Sequence, residues 1–181
     1  MAAHSAPRQG VEHPTSKVER RTSNVYNSRV YLTVLTLHSC NRWLVFALGL
    51  AATVNAFRDT PAVVNGRVRG SRWDMFFQMT IDIQVLLGLL LYFGLSPFST
   101  EAMNDIGAAM KSSMLRFWGV EHEVLAFASV ILVRLGRVFA TNGKTPEARK
   151  NRRIACFVAA MVLLVAAAFL QRRPWFRAWP A

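Results

Sequence analysis

Acidic side chains are scarce in this chain: 10 Asp and Glu stand against 22 Lys and Arg in 181 residues. Cysteine is nearly absent. Cys40 and Cys156 lie far apart, each alone in an apolar stretch, so there is neither a disulfide framework nor a metal-ligand spacing, and both read as packing thiols. The sequence also lacks a glycine-rich phosphate loop and any nucleophile with a base at useful spacing. Hydrolytic or nucleotide chemistry of the soluble type is thereby disfavoured.

Long apolar runs are what the chain has instead. Hydrophobic residues make up 52% of it and the mean hydropathy is +0.23, a mixture that points to a membrane protein with basic ends. Four stretches stand out: 30–57, 75–95, 117–139 and 154–170. Each is near or above the roughly 18 residues that a helix needs to cross a bilayer. The expected fold is therefore all-α, an integral membrane four-helix bundle over residues 30–181. Trp175 and Trp179, with Arg172, Arg173 and Arg177 beside them, read as interfacial anchors after the last span.

Residues 1–29 form a polar tail with Pro7, Pro14 and mixed charge but no periodic apolar face, expected to be disordered or ordered only on a partner. The first apolar run begins at residue 30, too late for a signal peptide, so no cleavage is expected. The net charge of +12 could suit a nucleic-acid binder, but the basic residues flank the spans instead of marking one face, so the expected surface partner is lipid and not nucleic acid.

Four spans put both termini on one side, together with the loop 96–116, and leave the basic loops 58–74 and 140–153 on the other. Lys and Arg are almost equally divided between the two sides. Short loops weigh more than long tails, which favours cytoplasmic basic loops and periplasmic termini in a bacterial inner membrane. In the loop 96–116, Met103, Ile106, Met110 and Met114 recur at spacings of three and four, as in an amphipathic helix on the membrane surface. Ala47, Gly49 and Ala51 in span one, and Ala155 and Ala159 in span four, are candidates for close helix approach.

Polar residues inside apolar spans carry the functional signal. At about 1.5 Å rise per residue, His38 lies roughly 12 Å from Val30 and His122 roughly 8 Å from Phe117, and spans one and three run in the same direction. Both imidazoles can therefore meet in one layer. Ligation of a haem iron, hydrogen bonding between helices without a cofactor, and a different tetrapyrrole or metal are the three readings of that pair. No Cys-x-x-Cys-His site for covalent haem accompanies it.

Arg42 lies one turn deeper than His38 on the same face and needs an anion, for which Asp82 of span two is at comparable depth. An Arg42–Asp82 pair is the structural expectation, and participation of one of them in quinone or proton chemistry the functional one. Glu121 and Glu123 flank His122 on different faces, so at most one can orient the imidazole. Arg116, at the mouth of span three, suits a carboxylate such as a haem propionate, or plain interfacial anchoring. His4 and His13 in the tail have no constellation around them.

His38-Ser39 followed by Arg42-Trp43, Gln84 with the run 86–93, Arg116-Phe117-Trp118, Val120-Glu121-His122 and Pro174-Trp175 occur in that order. In this the chain resembles small bacterial four-helix membrane proteins described as cytochrome b-like, over residues 30 to 176. The resemblance implies a b-type haem held without covalent attachment, with His38 and His122 as the matching histidines. The chain departs from the family at Asp82, where members often carry a histidine two residues before the glutamine.

The expectation is thus a membrane electron-transfer subunit. His38 and His122 are its candidate axial ligands, Arg116 meets a propionate, Glu121 supports the histidine and Arg42 lies nearby. A chain this small is expected to work with other subunits of a larger complex instead of as a stand-alone enzyme. A non-redox accessory subunit of a respiratory or photosynthetic complex, and a subunit binding a chlorophyll-type pigment, are the competing expectations.

Overall fold

The computed structural model describes residues 29–60, 63–64, 67–142 and 144–170. The polar tail, His4 and His13, and the anchors beyond Leu170, Pro174-Trp175 included, lie outside the described residues. Helix α1 spans Arg29–Arg58, and a small antiparallel hairpin follows, β1 Val63–Val64 and β2 Arg67–Val68, with Val63 opposite Val68. Helix α2 is Arg72–Leu90 and runs on into a wide π turn, Leu91–Leu95. Three short helices come next, α3 Pro97–Asn104, α4 Ile106–Lys111 and α5 Ser113–Arg116. A second π turn, Phe117–Glu121, leads into α6, His122–Thr141, and α7 is Pro146–Phe169.

Four helical stretches, Arg29–Arg58, Arg72–Leu95, Ser113–Thr141 and Pro146–Phe169, are long and apolar enough to cross a bilayer. They close a ring in which α1 packs on α2 and α7, and α6 packs on the same two. The outward positions are apolar: Leu50, Leu86, Val124 and Val162 are all about 60% exposed. Large aliphatic side chains spread over the outside of a bundle are what lipid, and not water, tolerates, so the fold is compatible with a multi-pass membrane protein.

Helix starts are set by capping, not by hydropathy. Ser71 accepts from the Trp73 amide and Asp74 stands in the first turn, so α2 begins at Arg72, three residues before the apolar run. Thr145 accepts from the Ala148 amide, with Pro146 at the first position and Glu147 in the first turn, so α7 begins eight residues before its apolar stretch. Arg149 and Arg153, expected in a cytoplasmic loop, consequently lie on a helix and are buried.

The solid core sits at the end of the bundle that holds the start of α2, built from Val45, Ala52, Ala56, Phe77, Ile81, Val133, Phe157 and Ala160. Phe77 and Phe157 meet edge to face at 5.8 Å. Gly49 and Gly136 permit close packing: a β-carbon at Gly136 would sit 2.6 Å from the Phe157 ring, and one at Gly49 would collide with Met161 Sδ and sit 2.9 Å from the Phe77 ring. Of the small residues singled out in the sequence, only Gly49 is buried; Ala47 and Ala155 face outward, and the packed alanines are Ala52, Ala56 and Ala160. Cys40 is exposed and therefore is not a packing thiol, whereas Cys156 lies against the Gly136 backbone.

At the other end the chain between α2 and α6 folds over the bundle as three short helices, where one amphipathic helix was expected. Asp105 and Ser112 cap α4 and α5 and interrupt the periodicity. Met103, Ile106, Met110 and Met114 all remain exposed, while Ser99, Ala102 and Ala109 turn inward. Gly119 lets this cover close down, since a β-carbon there would meet that of Ala102 at 2.5 Å. Tyr92 locks it by donating to the Gly119 carbonyl at 2.9 Å.

Candidate functional site

Beneath that cover lies a cavity of about 450 Å³. All four long helices line it: Tyr31, Leu35, His38 and Arg42 from α1; Gln84 and Gly88 from α2; His122, Glu123 and Ala126 from α6; Leu164 and Ala167 from α7. Ser99 and Phe98 of α3, with Trp118 of the second π turn, close the top. The size and the mainly apolar wall with few polar groups are those of a small-molecule or cofactor site.

His38 and His122 face each other across it, ring centroids 6.4 Å apart and planes inclined at 59°. Two imidazoles bound to one metal from opposite sides, with bonds of about 2 Å and about 1.2 Å from nitrogen to ring centre, are separated by about 6 Å. Gly88 makes room for the first ring, since a β-carbon there would approach His38 Cε1 to 3.3 Å. Trp118 and Phe117, at 5.2 and 5.9 Å from the His122 ring, hold the second. Both aromatics belong to the π turn whose extra residue ends at His122; such wide turns are frequent where a helix must aim a functional side chain.

Hydrogen bonding fixes which nitrogen of each ring is available. His122 Nδ1 lies 3.0 Å from the Ala167 carbonyl, which can only accept, so Nδ1 carries the proton and Nε2 keeps its lone pair. A ring oriented by a backbone carbonyl in this manner is the usual setting of a metal-bound imidazole. His38 is held differently. Asn41 Nδ2 donates to the Thr80 carbonyl and to Gln84 Oε1, at 3.1 and 2.8 Å. Gln84 must then present its amide protons to the His38 carbonyl, at 3.1 Å, and to His38 Nε2, at 3.0 Å. The Nε2 lone pair of His38 is thus engaged, and its buried Nδ1 proton has no acceptor among the described residues. A buried unsatisfied donor costs about 1–3 kcal/mol and calls for a physical explanation.

The remaining expected site residues are redistributed. Asp82 pairs with Arg134 of α6 at 2.9 Å and not with Arg42, because its side chain leaves α2 on the outer side of the α2–α6 seam. Arg42 instead lines the cavity and lies over the Trp43 ring at 5.5 Å. Arg116 is outside the cavity wall: Glu121 takes its Nε at 2.7 Å and the Met110 carbonyl its Nη1 at 3.4 Å. Glu121 is accordingly tied to Arg116, and the acid on the cavity wall is Glu123. The helical offset between neighbouring residues explains this, since only one of the two glutamates can share the face of His122. Sequence reasoning weighed Glu123 beside Glu121 and quoted Gln84 without assigning it a role; Asn41 and the Ala167 carbonyl it missed, although Asn41, like Gln84, is a polar residue inside an apolar run.

A second polar cluster lies at the opposite, solid end. Arg153 is fully buried and donates to Asp74 at 2.6 Å and to Asn55 at 2.9 Å, and Ser71 donates to the same Asn55 oxygen at 2.8 Å. Also towards this end, Arg137 donates to Gln78. Among the described residues no three His, Cys, Asp or Glu side chains converge so as to hold a metal ion on their own. No family model, no curated protein and no solved structure matches the chain.

Proposed function

We propose that the chain is a membrane electron-transfer subunit that holds one non-covalent b-type haem between α1 and α6, with His122 and His38 as its axial ligands. The observation that carries this reading is the pair of imidazoles facing across one apolar cavity at 6.4 Å, one of them already oriented by a backbone carbonyl with its Nε2 free. Two protein ligands are too few for a bare ion, but they suit a macrocycle that brings four nitrogens of its own. When bound, such a group supplies one-electron chemistry whose potential depends on burial and hydrogen bonding.

The chain's own residues have separable tasks. His122 needs no rearrangement to offer a lone pair. His38 offers one only when the Gln84 amide lets go of Nε2, so Gln84 governs whether one imidazole or two can ligate. Arg42 lines the cavity wall, and in this reading its guanidinium would meet a carboxylate of the bound group. The electron donor in this reading is a quinol or a neighbouring redox centre, and the chain works inside a larger assembly in a bacterial inner membrane, basic loops inward.

A second reading has its own support. Gln84 and Ala167 satisfy one nitrogen of each histidine from neighbouring helices, which is also how an accessory, non-redox scaffold would use the two rings. The visible spectrum of the purified protein separates the two. A reducible Soret band with a sharp α band, lost in His122→Ala, supports the haem reading; a colourless protein supports the scaffold. A far-red absorber that depends on His122 alone would instead indicate a magnesium pigment with one axial imidazole.

A further inference from the structure

The outer face of the α2–α6 seam carries charge where a bilayer offers none. Asp82 and Arg134 pair there with side chains 37% and 57% exposed. Asp82 lies ten residues into the stretch Arg72–Leu95, about 15 Å along the axis, which is close to the middle of a hydrocarbon layer about 30 Å thick. Arg134 is seven residues from the end of α6, about 10 Å, and its side chain reaches inward to Asp82 and not outward to the headgroups. Exposed Met79, Ile83 and Leu86 of α2, and Ile131, Leu135 and Val138 of α6, extend the face along both helices. The other buried-span ion pair, Asp74–Arg153, is enclosed by the bundle with both side chains 1% exposed. Charged groups in membrane spans face the protein interior or a partner, and a short aspartate at mid-depth cannot reach the interface.

We propose that a second copy of the same chain covers this face, in a parallel two-fold dimer where Asp82 of each copy also meets Arg134 of the other. Two copies inserted with one orientation are related by an axis along the membrane normal, which preserves depth. Asp82 and Arg134 are already at one depth, so the axis brings each carboxylate opposite a guanidinium. Four alternating charges then close a neutral ring away from lipid. A partner with a single charge would satisfy one member of the pair and repel the other. The inference rests on the four helices spanning a bilayer and is independent of what the cavity binds.

The test uses full-length chains carrying two different tags, reconstituted in nanodiscs and in native membrane fragments. Cys40→Ser and Cys156→Ser remove the native thiols, and Ile83→Cys reports the interface by disulfide cross-linking. The parent should cross-link to itself. Asp82→Arg alone and Arg134→Asp alone should each lower the cross-linked fraction about tenfold, the weight of one well-formed charge interaction. Co-expressed, the two single variants should cross-link to each other and recover most of the parental yield, because two cations then face two anions. Should a single variant fail to fold alone, recovery on co-expression still supports the dimer. A monomeric parent, single variants that cross-link as well as the parent, a mixture that fails to recover, or a different protein cross-linked through Ile83→Cys would each overturn it.

Discussion

The two ends of the bundle are made of the same materials and do opposite things with them. At the α2 start, Phe77, Phe157 and alanines form a buried core, and the fully buried Arg153, beside the Phe157 ring, meets Asp74 and Asn55. At the histidine end, small residues and a cover of short helices leave about 450 Å³ open. Both ends leave single buried polar atoms without a partner among the described residues, Asp74 Oδ2 and Arg153 Nε at the first and His38 Nδ1 at the second. The difference is room: the first cluster is enclosed by packed side chains, whereas the second borders an open cavity, which is how a scaffold presents a ligand site.

The largest effect that would break this contrast is at Arg153. Arg153→Met strands a buried carboxylate, and thermal unfolding in detergent should show a loss of about 3–5 kcal/mol. Combining it with Asp74→Leu should recover a large part of that loss, since an apolar pair replaces an ion pair more cheaply than a lone charge does. If the double variant is as unstable as the single one, the solid end owes its rigidity to something other than this pair.

Gln84→Leu should have a smaller effect on stability, about 1–2 kcal/mol, from loss of its bonds to Asn41 and His38. Its sharper consequence is in the cavity. Freed of the amide, His38 should hold the iron more firmly, so the two-histidine spectrum of the parent should persist while carbon monoxide, which must displace an imidazole, binds more slowly. An unchanged rate of carbon monoxide binding would show that Gln84 does not restrain His38. Arg116→Ala should matter least, about 0–1 kcal/mol, because its bond to Glu121 is half exposed and lies off the cavity wall. A loss of the chromophore in this variant would restore Arg116 to the site.

Hydropathy located all four long helices but only their apolar parts. The helices start earlier, at Ser71 and Thr145, because caps and not apolar residues begin a helix; hence Arg153 read as a loop charge while it is the anchor of the core. Axial depth, which follows from rise per residue, brought His38 and His122 to one layer. Azimuth does not follow from depth. That is why Arg42 and Asp82, though level, point to different sides, and why Glu121 was favoured over Glu123. The Ala167 carbonyl could not be foreseen at all, since a backbone acceptor leaves no mark on the sequence.

Whether the two imidazoles share one iron is read from the visible spectrum of the protein purified from membranes, with His38→Ala and His122→Ala in parallel. The parent should show a Soret band and a sharp reduced α band, His38→Ala a five-coordinate spectrum, and His122→Ala no retained haem. A colourless parent protein that remains folded and stable after expression with ample haem would contradict a shared iron.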